Sequence, residues 1–197
     1  MAQPIERGKG YTYADYLTWD DGRRWEIIDG VAYEKIEGPS IVSDMSPAPN
    51  RFHQTIVTNL IREIGNYLKG KEGNIFSAPF DVRLQDSEKL TIVQPDVSIF
   101  CNSEHLNAKG ASGPPDWIIE ILSPSTSTKD LGKKILLYQK FGVREYWIIH
   151  PDEKFVSVHI LAGDGRYDVG KDFESGEKIS PTVFSDLQIN LPEIFAA

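Results

Sequence analysis

Two stretches of the sequence decide the fold: QPDVSIF at positions 94–100 and WIIEIL at positions 117–122. WIIEIL predicts a strand that is buried on both faces, because its run is almost entirely apolar. The apolar residues of QPDVSIF predict a second strand. Each also carries one carboxylate, Asp96 at the start of its run and Glu120 in the middle. Burying an unpaired charge is costly or shifts its pKa, so a folded protein usually keeps such an acid for a reason.

The elements around these strands predict an α/β chain, with a mixed sheet flanked by helices. Apolar residues at helical spacing predict long helices at about 50–69 and 129–141, and Thr12 favours a short helix at 13–19. Strand-like runs precede, separate and follow the long helices, which is typical of a mixed α/β or α+β sheet. A chain of 197 residues can still be built on one core, so we expect a single domain over 1–197.

Turn residues divide the strands and set the expected loops. Asp29-Gly30 predicts a hairpin turn between two strands. We expect the run 93–100 to be one strand that a proline interrupts early, and 102–115 to be a polar loop containing glycine and proline. Further loops are expected at 37–48 and 123–128.

Charge and cysteine content narrow the class of protein. The formal net charge of −8 weighs against broad, non-specific binding to phosphate backbones, although a basic strip can sit on an acidic body. It suits a site that concentrates carboxylates around a divalent cation. The one cysteine, Cys101, allows no intrachain disulfide and no cysteine-based zinc site. It is better explained as a small apolar strand residue than as a nucleophile.

The sequence gives no signal for membrane insertion or export. No apolar run approaches the roughly 20 residues that cross a bilayer. The polar N-terminal stretch 1–10 lacks the apolar core of a signal peptide. We therefore expect a cytoplasmic protein without a membrane partner.

Three further residues interrupt apolar patterns. Lys134 falls on the inward arc of the second long helix, where a lysine must extend to the surface or meet a charge. His53 lies at the centre of the apolar stripe of the first long helix. Glu26 is an acid inside the strand-like run WEIID at 25–29. Lys134 follows the Glu120 strand along the chain, so a carboxylate partner is expected for it.

Each of these polar residues also has a structural interpretation. Glu120 could be satisfied by an arginine or by backbone donors, and Asp96 could belong to a common Pro-Asp turn. Lys134 could extend its ammonium to solvent past the apolar face. His53 could be a core histidine bound to a backbone carbonyl, and Glu26 could pair with a neighbouring arginine.

Taken together, the motifs resemble the Uma-two family of restriction-endonuclease-like domains, within the PD-(D/E)XK nuclease superfamily. The matching segments are WEIIDGVAY (25–33), MSPAPNRFHQ (45–54), QPDVSIF (94–100), EILSPST (120–126) and DLGKKILLYQKFGVREYWII (130–149). The resemblance implies a mixed central sheet with helices on both sides. It also implies a metal-dependent enzyme that hydrolyses phosphodiesters, with DNA as the expected substrate.

The resemblance also assigns roles to the residues that interrupt the apolar patterns. Asp96 and Glu120 are expected to hold one or two Mg²⁺ or Mn²⁺ ions, and Lys134 to take the place of the motif lysine. Glu26 and His53 are expected to complete the site, as an extra acid and as a proton relay or phosphate donor. Without its cation, such a carboxylate cluster is expected to repel itself. A homodimer is expected, because similar domains often act on two strands.

A non-catalytic alternative stays open beside the enzyme. In the parent motif the lysine comes two residues after the acid, and here that position is Leu122. This departure and the acidic net charge favour a nuclease-like module that binds nucleic acid or a partner without cleaving. The retention of Asp96, Glu120 and Lys134 favours the enzyme.

Overall fold

The strands of the described residues form two six-stranded sheets and one two-stranded pair. This computed structural model describes residues 10–35, 51–85, 89–122 and 128–196, with the side chains of 85 and 128–130 left aside. The helices are α1 (Tyr13–Tyr16), α2 (Arg51–Leu68), α3 (Thr128–Lys140) and α4 (Leu191–Ile194), with a short 3-10 helix at Thr182–Phe184. The strands are β1 (Trp25–Ile28), β2 (Val31–Glu34), β3 (Asn74–Ser77), β4 (Val82–Gln85), β5 (Thr91–Val93), β6 (Val97–Phe100), β7 (Leu106–Asn107), β8 (Gly110–Ser112), β9 (Trp117–Ile121), β10 (Glu145–His150), β11 (Phe155–Ile160), β12 (Lys171–Glu174), β13 (Lys178–Ile179) and β14 (Ile189–Asn190).

The central sheet has the strand order β12-β11-β10-β9-β6-β3 and is mixed, because β9 and β10 are parallel whereas its other neighbours are antiparallel. Every residue of β9 is buried, as expected for a strand covered on both faces. One face packs against α2 through Ile56, Leu60 and Ile64. The other packs against α3 through Leu137 and Tyr138. The prediction of a mixed sheet with helices on both sides is confirmed.

A second sheet, with the order β2-β1-β5-β4-β8-β7, corrects one expectation. The run 93–100 is not a single interrupted strand, because β5 belongs to the second sheet and β6 to the central one. Pro95 lies between them and has no N–H to donate to a strand ladder. The chain therefore changes sheets at this proline, and apolar side chains of both sheets share one core.

The region 102–115 is also more ordered than expected. β7 and β8 form a short hairpin there, and β8 pairs in parallel with β4. Gly110 has a φ of +135°, and a Cβ on it would lie 2.3 Å from the carbonyl oxygen of Asp81, so glycine is required there. Such short strands of small residues lack the apolar alternation that predicts a strand.

The remaining turn predictions divide into those that are confirmed and those that cannot be compared. The hairpin turn at Asp29-Gly30 is confirmed, with positive φ values of 50° and 79° at its two residues. The expected loop at 37–48 lies outside the described residues, as does the loop expected at 123–128 except for Thr128, which begins α3. Among the described helices, none is both long and apolar enough to cross a membrane.

Cys101 follows β6 and is half-buried. Its backbone N–H donates to the carboxylate of Asp116 at 2.7 Å. Burial, and then the negative charge of Asp116, raise the pKa of the Cys101 thiol to about 11. A thiol with this pKa forms little thiolate near neutral pH, which agrees with a packing role rather than a nucleophilic one.

A buried acid that the sequence did not single out attaches the C-terminal segment to the central sheet. Glu145 begins β10 and is fully buried. Its carboxylate accepts hydrogen bonds from Trp147 Nε1 at 2.7 Å and from the backbone N–H of Thr182 at 2.6 Å. The Thr182 hydroxyl and the Val183 N–H donate as well. Within the described ranges, the partners of this carboxylate are therefore all neutral donors.

Replacing Glu145 with alanine should leave these donors without an acceptor in the interior. We expect the free energy of unfolding to fall by about 3 kcal/mol, measured by urea denaturation. Glu153→Ala is the control, because Glu153 is exposed in the turn before β11, and it should change stability by less than about 0.5 kcal/mol. Equal stability losses in the two variants would contradict the role given to Glu145.

Candidate active site

Asp96 and Glu120 are brought side by side by the pairing of β6 with β9. The antiparallel register pairs Val97 with Ile119. One further step along this register sets Asp96 opposite Glu120, and directly opposed residues have Cβ atoms about 4.5–5.5 Å apart. A hydrogen bond fixes the approach, because the Ile121 N–H donates to Oδ2 of Asp96 at 2.9 Å. The two predicted metal ligands are therefore neighbours across two strands.

Glu120 is held by two donors from α3. Lys134 Nζ lies 2.7 Å from Oε1 of Glu120, and the Tyr138 hydroxyl donates to the same oxygen at 2.8 Å. Lys134 and Tyr138 are one helical turn apart, so they reach the same point of the sheet. The inward lysine thus meets a carboxylate, as its position on the helix predicted, instead of extending to solvent.

Glu26 reaches the same cluster from β1 of the second sheet. Its Oε1 accepts the backbone N–H of Gln94 at 3.0 Å and lies 3.6 Å from Lys134 Nζ. Burial opposes ionisation of Glu26, but the charges of Lys134 and Lys35 outweigh it and lower its pKa below the ordinary value. Glu26 is therefore an ionised partner of the lysine, rather than of the arginine that its sequence position suggested.

Both oxygens of Asp96 are engaged. Oδ2 accepts the Ile121 N–H and lies 3.1 Å from Nε2 of His53, which projects from the first turn of α2. Oδ1 lies 3.3 Å from Nζ of Lys35. Burial opposes ionisation of Asp96, but Lys35 and His53 hold its pKa well below the ordinary value. His53 therefore contacts a carboxylate, which a core histidine bound only to a backbone carbonyl would not do.

The charges of Glu120 and Glu26 act in turn on Lys134. Its side chain is 19% exposed, and burial disfavours the ammonium. The two carboxylates outweigh burial and raise the pKa of Lys134 above its ordinary value. Lys134 therefore remains a cation at neutral pH.

Two residues of the cluster gave no usable sequence signal. Lys35 follows β2 at a position that the strand pattern leaves polar. Gln94 acts chiefly through its backbone: its N–H binds Glu26 and its carbonyl accepts Lys35 Nζ at 2.6 Å. The Gln94 side chain is fixed by Arg24 at 3.0 Å and by Asp81 at 2.8 Å. Contacts of this kind depend on how two sheets meet, which a single sequence does not show.

The lysines change the expected electrostatics of the site. The three carboxylates of Glu26, Asp96 and Glu120 carry −3, and the ammonium groups of Lys35 and Lys134 carry +2, which leaves −1 before His53 is counted. The expectation of a cluster that repels itself without a cation is therefore wrong. The protein supplies its own counter-ions.

The donor chemistry suits a hard divalent cation held by two protein ligands. Asp96 and Glu120 offer carboxylate oxygens, and Oε2 of Glu120 has no hydrogen-bond or ion-pair partner within the described ranges. Within those ranges, no three His, Cys, Asp or Glu side chains are arranged to hold one ion together. Mg²⁺ is commonly bound through one or two carboxylates, with waters and substrate phosphates completing its shell. The pair of Asp96 and Glu120 fits that mode.

Removing the Lys134 ammonium should expose the repulsion that it offsets. We expect Lys134→Met to lower the free energy of unfolding by about 3 kcal/mol, because it leaves two buried carboxylates without their cation. Lys140→Met is the matched control on the same helix, since Lys140 is 55% exposed in its contact with Asp29. Thermal and urea denaturation measure both, and equal effects would show that Lys134 is an ordinary surface lysine.

Comparison with known proteins places this geometry in context. A family model, Uma2, described as "Putative restriction endonuclease", matches residues 13–192. The crystal structure of a protein from Anabaena variabilis, described as a "putative nuclease belonging to DUF820", has a TM-score of 0.71 and 24% identity, covering 94% of this chain and 97% of that one. An "Uncharacterized protein" of Synechocystis sp. is 27% identical over 126 residues, which are 63% of this chain and 60% of that protein.

These comparisons support different conclusions. The chain spans about 60% of the length of the curated relative that it matches, so that likeness does not extend to the whole relative. The structural likeness, at 24% identity, shows the fold alone. The family match covers nearly the whole chain and includes the acids and lysines of the candidate site, which are Glu26, Lys35, Asp96, Glu120 and Lys134. This chain is a member of the Uma2 family of restriction-endonuclease-like proteins.

Proposed function

We propose that this chain is a divalent-metal-dependent endonuclease that hydrolyses phosphodiester bonds in DNA. The observation that carries the proposal is the contact of the Lys134 ammonium with Glu120, beside Asp96. A lysine of α3 thus contacts one acid of the central sheet, and the second acid lies opposite that acid at the start of the β6–β9 pairing. Membership in a restriction-endonuclease-like family supports the same reaction class.

Asp96 and Glu120 would hold Mg²⁺ or Mn²⁺ through their carboxylate oxygens. When bound, such an ion polarises a phosphoryl oxygen and lowers the pKa of a coordinated water. The chain's own contribution is to hold Asp96 ionised and both acids in place. The Ile121 N–H orients Asp96, and the Tyr138 hydroxyl orients Glu120.

Lys134 would stabilise negative charge rather than accept a proton. Glu120 and Glu26 keep it protonated, so it can donate hydrogen bonds to a phosphate or to the attacking water. Glu26, fixed by the Gln94 N–H, sets the direction of the ammonium from the side of the second sheet. His53, against Asp96, is proposed as a proton relay or as a donor to the phosphate.

The rival proposal, a nuclease-like module without catalysis, has less support from the structure than from the sequence. Its main argument was that Leu122 occupies the place of the motif lysine. Leu122 packs with the apolar cluster beneath α3, while the Lys134 ammonium reaches Glu120 from that helix. In the proposed enzyme, this helix would thus supply the functional group that the motif requires. The acidic net charge still favours the rival, and a cleavage assay separates the two.

The assembly and location proposed for the enzyme follow from its substrate. We propose a homodimer, because cutting two antiparallel strands is simplest with a twofold-symmetric pair of sites. A light-scattering mass of one chain at working concentration would contradict it. DNA as the substrate also favours the cytoplasm as the site of action, which fractionation of cells would test.

The test of the enzyme is cleavage of supercoiled plasmid in Mg²⁺ or Mn²⁺. Glu120→Gln keeps the shape of the side chain and removes its charge, so we expect it to reduce cleavage at least about a hundredfold. Glu153→Gln, an exposed acid outside the cluster, should cleave like the unmodified protein. Mg²⁺ should also raise the melting temperature of the unmodified protein but not of Glu120→Gln, by mass action.

The outcomes separate the two proposals. Cleavage by Glu120→Gln at the unmodified rate would show that the site is misassigned. A folded, unmodified protein that binds DNA without cutting it in either metal would support the non-catalytic module.

A further inference from the structure

The buried carboxylate of Asp96 has a lysine as its counter-ion. Its side chain is 5% exposed, and the ammonium of Lys35 contacts it at Oδ1. Oδ2 is already shared by His53 and the Ile121 N–H. Among the described residues, Oδ1 of Asp96 therefore has fewer partners than Oδ2, and its partner is the Lys35 ammonium. A cation that approaches Asp96 must meet this ammonium.

Of the three donors to Asp96 among the described residues, Lys35 is the one that can most easily move away. The Ile121 N–H is part of β9 and cannot withdraw without breaking the strand. Lys35 makes the longest of the three contacts, 3.3 Å against 2.9 Å and 3.1 Å. Its ammonium has a second acceptor, the Gln94 carbonyl at 2.6 Å, so it can leave Oδ1 and remain hydrogen-bonded. Its flexible four-carbon side chain, 16% exposed, lets the ammonium shift from one acceptor to the other while the backbone stays in place.

A divalent ion and the Lys35 ammonium repel each other if both bind Asp96. Mg²⁺ binds carboxylate oxygens at about 2.0–2.1 Å. With the ammonium 3.3 Å from Oδ1, an ion on the same oxygen would lie within about 5.4 Å of it, the sum of the two distances. Like charges this close repel strongly where water is largely excluded.

Glu120 presents the opposite situation. Lys134 and Tyr138 both bind its Oε1, while Oε2 has no partner among the described residues. Lys134 is also held by a second carboxylate, that of Glu26. An ion can therefore approach Glu120 without displacing its lysine. Exchange is needed only at Asp96.

We propose that Lys35 is the exchangeable counter-ion of Asp96, which a divalent cation displaces when it binds. Lys35 then keeps Asp96 compensated in the metal-free protein and sets the metal affinity of the site. The displaced ammonium stays near the cluster through Gln94, as a cation available to a phosphate. This inference rests on the proposed metal site and adds a role for a residue outside the recognised motif.

The test is the affinity for Mn²⁺ alone, measured by calorimetry and by the loss of the free-ion electron spin resonance signal. Lys35→Met should bind Mn²⁺ at least about tenfold more tightly than the unmodified protein, because no ammonium has to be displaced. Lys35→Arg, which keeps the charge, should stay within about twofold of the unmodified affinity. Lys140→Met, which removes an exposed charge from α3, should also stay within about twofold.

The readings distinguish this inference from the proposed metal site. If Lys35→Met is folded by circular dichroism and binds Mn²⁺ no more tightly than the unmodified protein, Lys35 is not displaced. If Lys35→Arg or Lys140→Met tightens binding as much as Lys35→Met, the effect is not an exchange at Asp96. If the unmodified protein and Lys35→Met both bind no Mn²⁺, the metal site itself is absent and the inference falls with it.

Discussion

The short connection Gln94–Pro95–Asp96 is the constraint on which the site depends. It carries the chain from the second sheet into the central sheet, so the two sheets are fixed to each other at this point. Gln94 binds Glu26 and Lys35 through its backbone and is itself anchored by its side chain. Asp96, two residues later, faces Glu120. A shift of this connection would displace carboxylates of both sheets together.

Two kinds of buried acid occur among the described residues, and they differ in their partners. Glu145 is bound there by neutral N–H and O–H donors, of which those of Thr182 and Val183 attach the C-terminal segment. Asp96, Glu120 and Glu26 are compensated by ammonium groups on long side chains. Neutral backbone donors are fixed in place, whereas ammonium groups can move or exchange. The three acids of the proposed site thus differ from Glu145 in the kind of partner they have, and not in burial.

Sequence patterns were sufficient for the part of the site that follows from periodicity. Glu120 was recognisable because it interrupts a buried strand, Asp96 because it begins an apolar run, and Lys134 because it lies on the inward arc of a helix. Lys35 and Gln94 were not, because one is a polar residue after an edge strand and the other acts through its backbone. The second sheet was missed for a related reason: whether two adjacent strands share a sheet depends on long-range pairing. Pro95 indicated that the strand is interrupted, but it did not indicate that the chain passes to another sheet there.

The parallel pairing of β9 with β10 has a consequence for how such sites can diverge. Parallel neighbours require a crossover, and here the crossover contains α3, which covers the sheet face bearing Glu120. A side chain on the covering helix and one on the strand can therefore place the same functional group at one point in space. In the proposed enzyme, a lysine on the covering helix would replace the motif lysine of the strand, with its ammonium at the same point beside Glu120. A motif written as a fixed spacing would then miss such a chain.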